Sequence, residues 1–236
     1  VYRLDEKNRK VGEMFTDIAP RYDFLNRLLS AGIDRSWRRK AVACAVPARG
    51  GLFLDVATGT ADVALEIFRQ KGREARVVGA DLSAGMVRVG ARKAREAGLS
   101  DRLSFVLCPG ESLPFRDGVF DSATIAFGIR NVADRPRALR EMTRVTKAGG
   151  RVIVLEFSLP KQFLVGTLYN FYFNHLLPFV GGLFSRRSAY EYLPESVGAF
   201  PPPEEFRRMM VDAGCSTVEA RPLTFSIATL YVGTRA

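Results

Sequence analysis

Apolar positions in this chain fall into short continuous runs separated by stretches with helical spacing. The runs are Leu52–Val56, Val77–Asp81, Leu103–Cys108, Phe120–Phe127 and Arg151–Phe157. Runs of this length, apolar at successive positions, predict strands covered on both faces. Between them, helices are predicted from Asp62 to about Gln70, from Ser83 to Gly98 and from Asp134 to Thr146. The last carries Ala138, Leu139, Met142 and Val145 on one face. Strands alternating with helices predict a doubly wound α/β domain with a mostly parallel sheet. Near the end, a helix over Pro203–Ala213 precedes Ser216–Pro222 and Phe225–Val232, which are expected to close the sheet as an antiparallel hairpin.

The first 46 residues read differently. Val11, Met14, Phe15 and Ile18 repeat at helical spacing, and Pro20 is expected to interrupt them. Tyr22, Leu25, Leu28 and Leu29 form a second stripe that Gly32 breaks, and Asp34 is expected to cap a helix bearing Trp37 and Val42. Such a helical hairpin either packs on the core or forms a lid with Tyr22 facing inward. Phe163–Phe184 is aromatic and apolar and nearly long enough to span a membrane, yet Asn170, Asn174, His175 and Pro178 interrupt it. A core helix fits it, as does an apolar cover for a greasy substrate that touches a bilayer surface, with Arg186 and Arg187 suited to anionic headgroups.

The chain is one domain by length: 236 residues, 47% hydrophobic, suffice for a single large core. We divide it into a helical lid (1–46), a cofactor-binding core (47–160), an apolar substrate cover (161–200) and a C-terminal helix and strands (201–236). A formal net charge of +10 points to an anionic partner. The basic residues are dispersed with no long basic tail, which argues against nucleic acid. Three separated cysteines and one histidine give no metal-ligand spacing, so no metal is expected and the compartment is read as reducing. No signal-peptide pattern follows Val1, and because the chain does not open on Met an upstream piece is expected.

The chemistry gathers at strand ends. Leu52–Val56 contains Asp55 and runs into the small residues Ala57, Thr58, Gly59, Thr60 and Ala61, after which Asp62 opens a helix. A strand, tight loop and helix start bring backbone N–H groups close to a ligand at the carboxyl edge of a sheet. An ordinary strand–turn–helix corner has the same pattern. Val77–Asp81 also ends in an acid, at about the spacing from Gly59 where a βαβ unit holds a ribose. The blander reading of Asp81 is a cap for the helix starting near Ser83; its place after the small-residue loop favours the ribose.

Three stretches carry a family resemblance: MFTDIAPRYDFLNRLLSAGIDRSWRR, ESLPFRDGVFD and FGIRNVADRPRALREMTRVTKAGGRVIVLEFS. With YNFYFNHLLPFVG and YLPESV, they resemble the S-adenosylmethionine-dependent C-methyltransferases of ubiquinone and menaquinone biosynthesis, the UbiE/MenG/COQ5 group. The resemblance implies a Rossmann-like class I methyltransferase with a seven-stranded, mostly parallel sheet, an antiparallel C-terminal strand and a helical lid. It implies methyl transfer from S-adenosylmethionine to a ring carbon of a polyprenylated quinol. It assigns Arg130, Asn131 and Tyr22 to the reacting centre, with Arg130 holding the phenolate oxygen or polarising a water, since guanidinium stays protonated. Thr60, Asp55, Ala57 and Gly59 would shape the loop around the methionine portion and Asp81 would take the ribose. Leu82 and Met86 would flank adenine, and Ala126 would lend backbone near the sulfonium. The family departs from this chain at Ala61, where it usually has glycine, and at Pro109, where it has an adenine-facing Asn or Asp. Gly110 and Glu111 backbone groups are therefore expected to carry the adenine contact.

The implied location is cytoplasmic, peripheral at the inner face of the cell membrane, without nucleic acid; a homodimer and a quinone-biosynthesis complex are both compatible. Competing readings are a nicotinamide-dependent oxidoreductase, which the absent G-x-G-x-x-G disfavours, a methyltransferase acting on nucleic acid or another small molecule, and a non-catalytic quinone-pathway scaffold.

Overall fold

The computed structural model describes residues 6–30, 32–158 and 195–236. The stretch Phe163–Phe184, with His175, Arg186 and Arg187, lies outside the described residues, as do the side chains of Leu25, Leu28 and Leu29. The strands are β1 (Leu52–Val56), β2 (Arg76–Asp81), β3 (Leu103–Leu107), β4 (Phe120–Ala126), β5 (Thr146–Phe157), β6 (Cys215–Leu223) and β7 (Ala228–Arg235). They form one sheet in the order β3-β2-β1-β4-β5-β7-β6. β1 to β5 pair in parallel, and β7 lies antiparallel between β5 and β6. The helices are α1 (Glu6–Leu29), α2 (Ile33–Ala43), α3 (Asp62–Lys71), α4 (Ala84–Glu96), α5 (Arg135–Val145) and α6 (Pro203–Asp212).

Alternate residues of the central strands serve opposite cores. Phe53, Ile153 and Leu155 pack with Trp37, Val42, Val63 and Ile67 on one face. Leu54, Val56, Ile125, Val152 and Val154 pack with Leu139, Met142, Phe206 and Met210 on the other. This is why the strands read as continuous apolar runs. The chain winds outward from β1 to β3 and then returns to β4 on the other side of β1. The loops leaving β1 and β4 therefore diverge, and a crevice opens at the carboxyl edge between them.

Several boundaries differ from the sequence expectations. Pro20 does not interrupt α1, which runs unbroken for 24 residues. Pro20 offers no N–H to the Thr16 carbonyl, but α1 is held at this turn by α4. Thr16 and Ser83 hydroxyls share a hydrogen bond of 2.8 Å, and a Cβ on Gly85 would sit 2.9 Å from Thr16 Cα and O. Asp34 does not cap α2. Gly32 does, at φ 77°, while buried Asp34 pairs with Arg38 one turn on and accepts from Ser30 Oγ. β4 ends at Ala126, because Phe127 turns left-handed at φ 57°. β5 starts at Thr146 rather than Arg151, since Thr146 already pairs with Phe120 ahead of a register shift. Phe225 lies in the β6–β7 turn, where Thr224, Phe225 and Ser226 all have positive φ.

The α1–α4 crossing yields a test. Gly85→Ala gains helix propensity of up to about 1 kcal/mol but forces a methyl against the Thr16 backbone, an overpacking cost of about 1–3 kcal/mol. Urea denaturation should show a net loss of stability. Hydrogen exchange should show α1 loosened ahead of the sheet.

Candidate active site

The crevice is a cleft partly open to solvent, lined by α1 and by four strand-end loops. Its floor comes from the loops after β1, β2, β3 and β4. Its roof is one face of α1: Asn8, Val11, Gly12, Phe15 and Tyr22 recur at helical spacing along it. Phe15 and Tyr22 meet edge to face at 6.0 Å. Burial raises the Tyr22 phenol above its ordinary pKa, and a hydrogen bond with Asn26 partly opposes this. The tyrosine is therefore neutral near pH 7, with a proton to donate.

The β1 loop is built from backbone that alternates in handedness. Ala57, Gly59 and Ala61 have φ 49°, 55° and 68°. Left-handed alanine costs about 1–3 kcal/mol, so neighbouring contacts must hold these residues in place. Beneath the loop, Asp55 is 1% exposed. It accepts from Thr58 Oγ1 at 2.6 Å and from Thr124 Oγ1 at 2.9 Å. Burial pushes its pKa up to about 7, against the pull of these two hydroxyls. Above it, Asp81 Oδ2 accepts from Gly59 N at 2.7 Å and Oδ1 from Ser83 N at 2.8 Å. Burial also raises Asp81, with the Ser83 and Gly59 N–H groups opposing. Asp81 does not cap α4; the Ser83 side chain does, by accepting from Met86 N.

Tyr22, Ala57, Gly59, Asp81, Leu82, Met86, Gly110, Glu111, Ala126 and Asn131 all line the cavity. Asp55, Thr60, Pro109 and Arg130 are not in its wall. The Thr60 hydroxyl donates to Asp23 Oδ1, and Lys93 Nζ bridges Asp23, Thr60 and Asp62. Thr60 thereby fastens the loop to α1. Ala61 is fully buried, packed where a Cβ on Gly90 of α4 would lie 3.2 Å away. Arg130, expected at the reacting centre to hold the phenolate oxygen or polarise a water, directs Nη1 to Glu156 Oε1 at 2.7 Å and to the Phe127 carbonyl at 2.6 Å. Its Nε donates to Ser196 Oγ, and its guanidinium lies 5.4 Å over the Phe157 ring. The reason is electrostatic: Glu156 is fully buried, and a buried carboxylate captures the nearest cation.

Sequence reasoning missed Asn8, Gly12, Phe127, Asp23, Lys93 and Glu156. The signal for α1 was present, since the lining positions continue one helical stripe through Pro20. Lys93 and Glu156 carried no signal, because their partners come from distant elements.

The wall is rich in acceptors. Glu111 Oε1 takes N–H donors from Asn8, Ala133 and Asp134. Its Oε2 and the Oδ1 of Asn131 are buried without a hydrogen-bond partner among the described residues. A buried acceptor left unpaired costs about 1–3 kcal/mol, so a ligand bearing several N–H and O–H donors fits this cavity.

A sheet ordered this way, with its crevice at the β1–β4 divergence, is the Rossmann-like fold of class I methyltransferases. A SAM-dependent methyltransferase of Thermotoga maritima superposes with a TM-score of 0.65 at 20% identity, covering 95% of this chain and 99% of its own. The [4+2]-cyclase SpnF shares the same fold, with a TM-score of 0.70 at 19% identity over 97% and 96% of the two chains. Fold alone therefore does not select the reaction. Sequence does: the chain belongs to the ubiE/COQ5 methyltransferase family, whose model matches residues 3–235. It is 53% identical to the ubiquinone/menaquinone biosynthesis C-methyltransferase UbiE of Geobacter sulfurreducens, over 99% of this chain and 91% of that one. It is 50% identical to the demethylmenaquinone methyltransferase of Thermus thermophilus, over 94% and 100%.

Asp55 gives a pH test. Its folded pKa lies above the 3.8 of the free side chain. The stability it contributes is thus complete below about pH 4 and lost as pH rises to about 7. Asp55→Asn stays neutral throughout. Its stability relative to wild type should climb between pH 4 and 7, by at most about 4 kcal/mol at 1.36 kcal/mol per unit, and level off above. Urea denaturation at several pH values measures this; a gap independent of pH would refute the assignment.

Proposed function

We propose that this chain transfers a methyl group from S-adenosylmethionine to a ring carbon of a polyprenylated quinol. The observation that supports this most is an acceptor-lined cavity in a chain half identical to quinone-pathway methyltransferases. The cofactor carries an amino group, two ribose hydroxyls and an ammonium, all donors, and these suit the carboxylates of Asp81 and Glu111 in the cavity wall. Asp81 would take the ribose. Leu82 and Met86 would pack on adenine, with Gly110 and Glu111 at its edge. Ala57, Gly59 and Ala126 would surround the methionine portion. Asp55, Thr60 and Pro109 would act from behind, by holding the loops that do the binding.

When bound, S-adenosylmethionine supplies an electrophilic methyl on a sulfonium. The residues of the chain then have two tasks. One is to exclude water, which the apolar α1 face performs, because joining an anionic ring to a cation neutralises charge and a water-poor pocket does not oppose it. The other is to govern the ring hydroxyl next to the carbon attacked. Tyr22, neutral and half-buried, donates to the oxygen as it becomes phenolate, and the hydroxyl proton, then the proton of the attacked carbon, leave to water. Asn131 offers Oδ1 to a hydroxyl proton and so orients the ring. Arg130 acts through Asn131 rather than on the ring. The greasy tail of such an acceptor resides in a bilayer, so the chain works as a peripheral protein at the cytoplasmic membrane face. A net charge of +10 suits anionic headgroups. No helix among the described residues is long and apolar enough to cross a membrane.

The test supplies the purified chain with methyl-tritiated S-adenosylmethionine and either a demethylated naphthoquinol or a benzoquinol, with RNA as a control. Label should enter the lipid extract alone; label in RNA, or none anywhere, would sink the reading. Tyr22→Phe keeps the packing but loses the donor. It should lower kcat about 10²-fold, the scale of one oriented donor at a reacting oxygen, while S-adenosylhomocysteine affinity stays within threefold by calorimetry.

A further inference from the structure

We infer that Glu156 is a positioning residue for methyl transfer, acting through Asn131. The inference rests on the reading that Asn131 orients the quinol ring. Glu156 stands at the end of β5, is fully buried and does not line the cavity. Its carboxylate grips the neighbouring β4 loop. Oε2 accepts from the backbone N–H of Arg130 at 3.2 Å. Oε1 accepts from Arg130 Nη1 at 2.7 Å and from Phe157 N at 2.9 Å. The same Nη1 donates to the carbonyl of Phe127. One carboxylate therefore ties both ends of the loop from Phe127 to Arg130.

That loop is not at rest by itself. Phe127 is left-handed at φ 57°, and a Cβ on Gly128 would stand 2.6 Å from Ala57 Cβ of the cofactor-binding loop. The next residues form a 3₁₀ turn, Ile129–Asn131, in which Asn131 N donates to Gly128 O. Asn131 is the last residue of this turn. Its side chain lines the cavity and its Oδ1 is unpartnered among the described residues. No side-chain hydrogen bond fixes that oxygen there. Its position is inherited from the backbone turn, and Glu156 with Arg130 holds the turn. A carboxylate meets the three N–H donors with two acceptor-only oxygens; an amide in its place turns one of those acceptors into a donor.

A merely structural role and a positioning role separate in a double-mutant cycle. Glu156→Gln should lower kcat about 10²-fold, the cost of about 1 Å of misplacement, with KM for S-adenosylmethionine and the S-adenosylhomocysteine dissociation constant within threefold. Asn131→Ala should cause a similar fall. Glu156→Gln added to Asn131→Ala should then have little further effect, because the group it positions is gone. Arg130→Met with Glu156→Leu removes both buried charges together and guards against failure to fold. It should unfold at a denaturant midpoint no lower than that of Glu156→Gln and still show the kcat loss. Glu156→Gln turning over at the wild-type rate, or its loss multiplying fully with that of Asn131→Ala, overturns the inference while the quinol reading stands. A wild-type chain that methylates no quinol overturns both.

Discussion

A carboxylate at the end of a buried parallel strand must find donors, and in this protein four of them find those donors in the neighbouring loops. Asp55 takes hydroxyls from its own loop and from β4. Asp81 takes N–H groups from the β1 loop and from the start of α4. Glu111, beyond β3, takes N–H groups from α1 and from the segment that leads into α5. Glu156 takes the whole β4 turn. The cost of burying each acid is offset by hydrogen bonds to groups that would otherwise be unpaired. Of the four, Asp81 and Glu111 line the cavity, while Asp55 and Glu156 stand behind it and set the geometry of the loops.

α1 depends on this frame. It is fastened at three levels: Asn8 to Glu111, Thr16 to Ser83, and Asp23 to Thr60 and Lys93. Glu111, Ser83 and Thr60 belong to loops of the floor or adjoin them, and Lys93 reaches Asp23 from the last turn of α4. The helix is therefore a roof whose seating reports the state of the floor, and Tyr22 sits one residue from the last anchor. Arg38, paired with both Asp34 and Asp62, extends the network into α2. Trp37 ties α2 to the β6–β7 turn through its indole N–H on Thr224 at 2.8 Å.

The doubly wound fold, the loop from Ala57 to Ala61 and the acid at Asp81 were legible in the residues, because strand burial on two faces and a small-residue loop leave local patterns. Ten expected site residues meet in one cavity, from Tyr22 to Asn131. The misreadings have a common origin. Pro20 was taken as a break and Asp34 as a cap because helix rules are local, whereas α4 and Arg38 supply the deciding contacts. The partner of the Arg130 guanidinium is equally out of reach of a local reading. Nothing adjacent to it in sequence reveals that Glu156, on another strand, claims its guanidinium.

What the sequence by itself determined is the class of molecule: its alternating strands and helices, the positions where backbone must approach a ligand, and, through RYDFLN and FGIRN, the family. What the tertiary structure alone decided is which polar groups face the cavity and which stand behind it. The physical reason is that a buried charge chooses its partner by proximity in space. Thr60 and Arg130 are polar residues next to site residues in the chain, yet Asp23 and Glu156, reached across the fold, claim the hydroxyl of one and the guanidinium of the other.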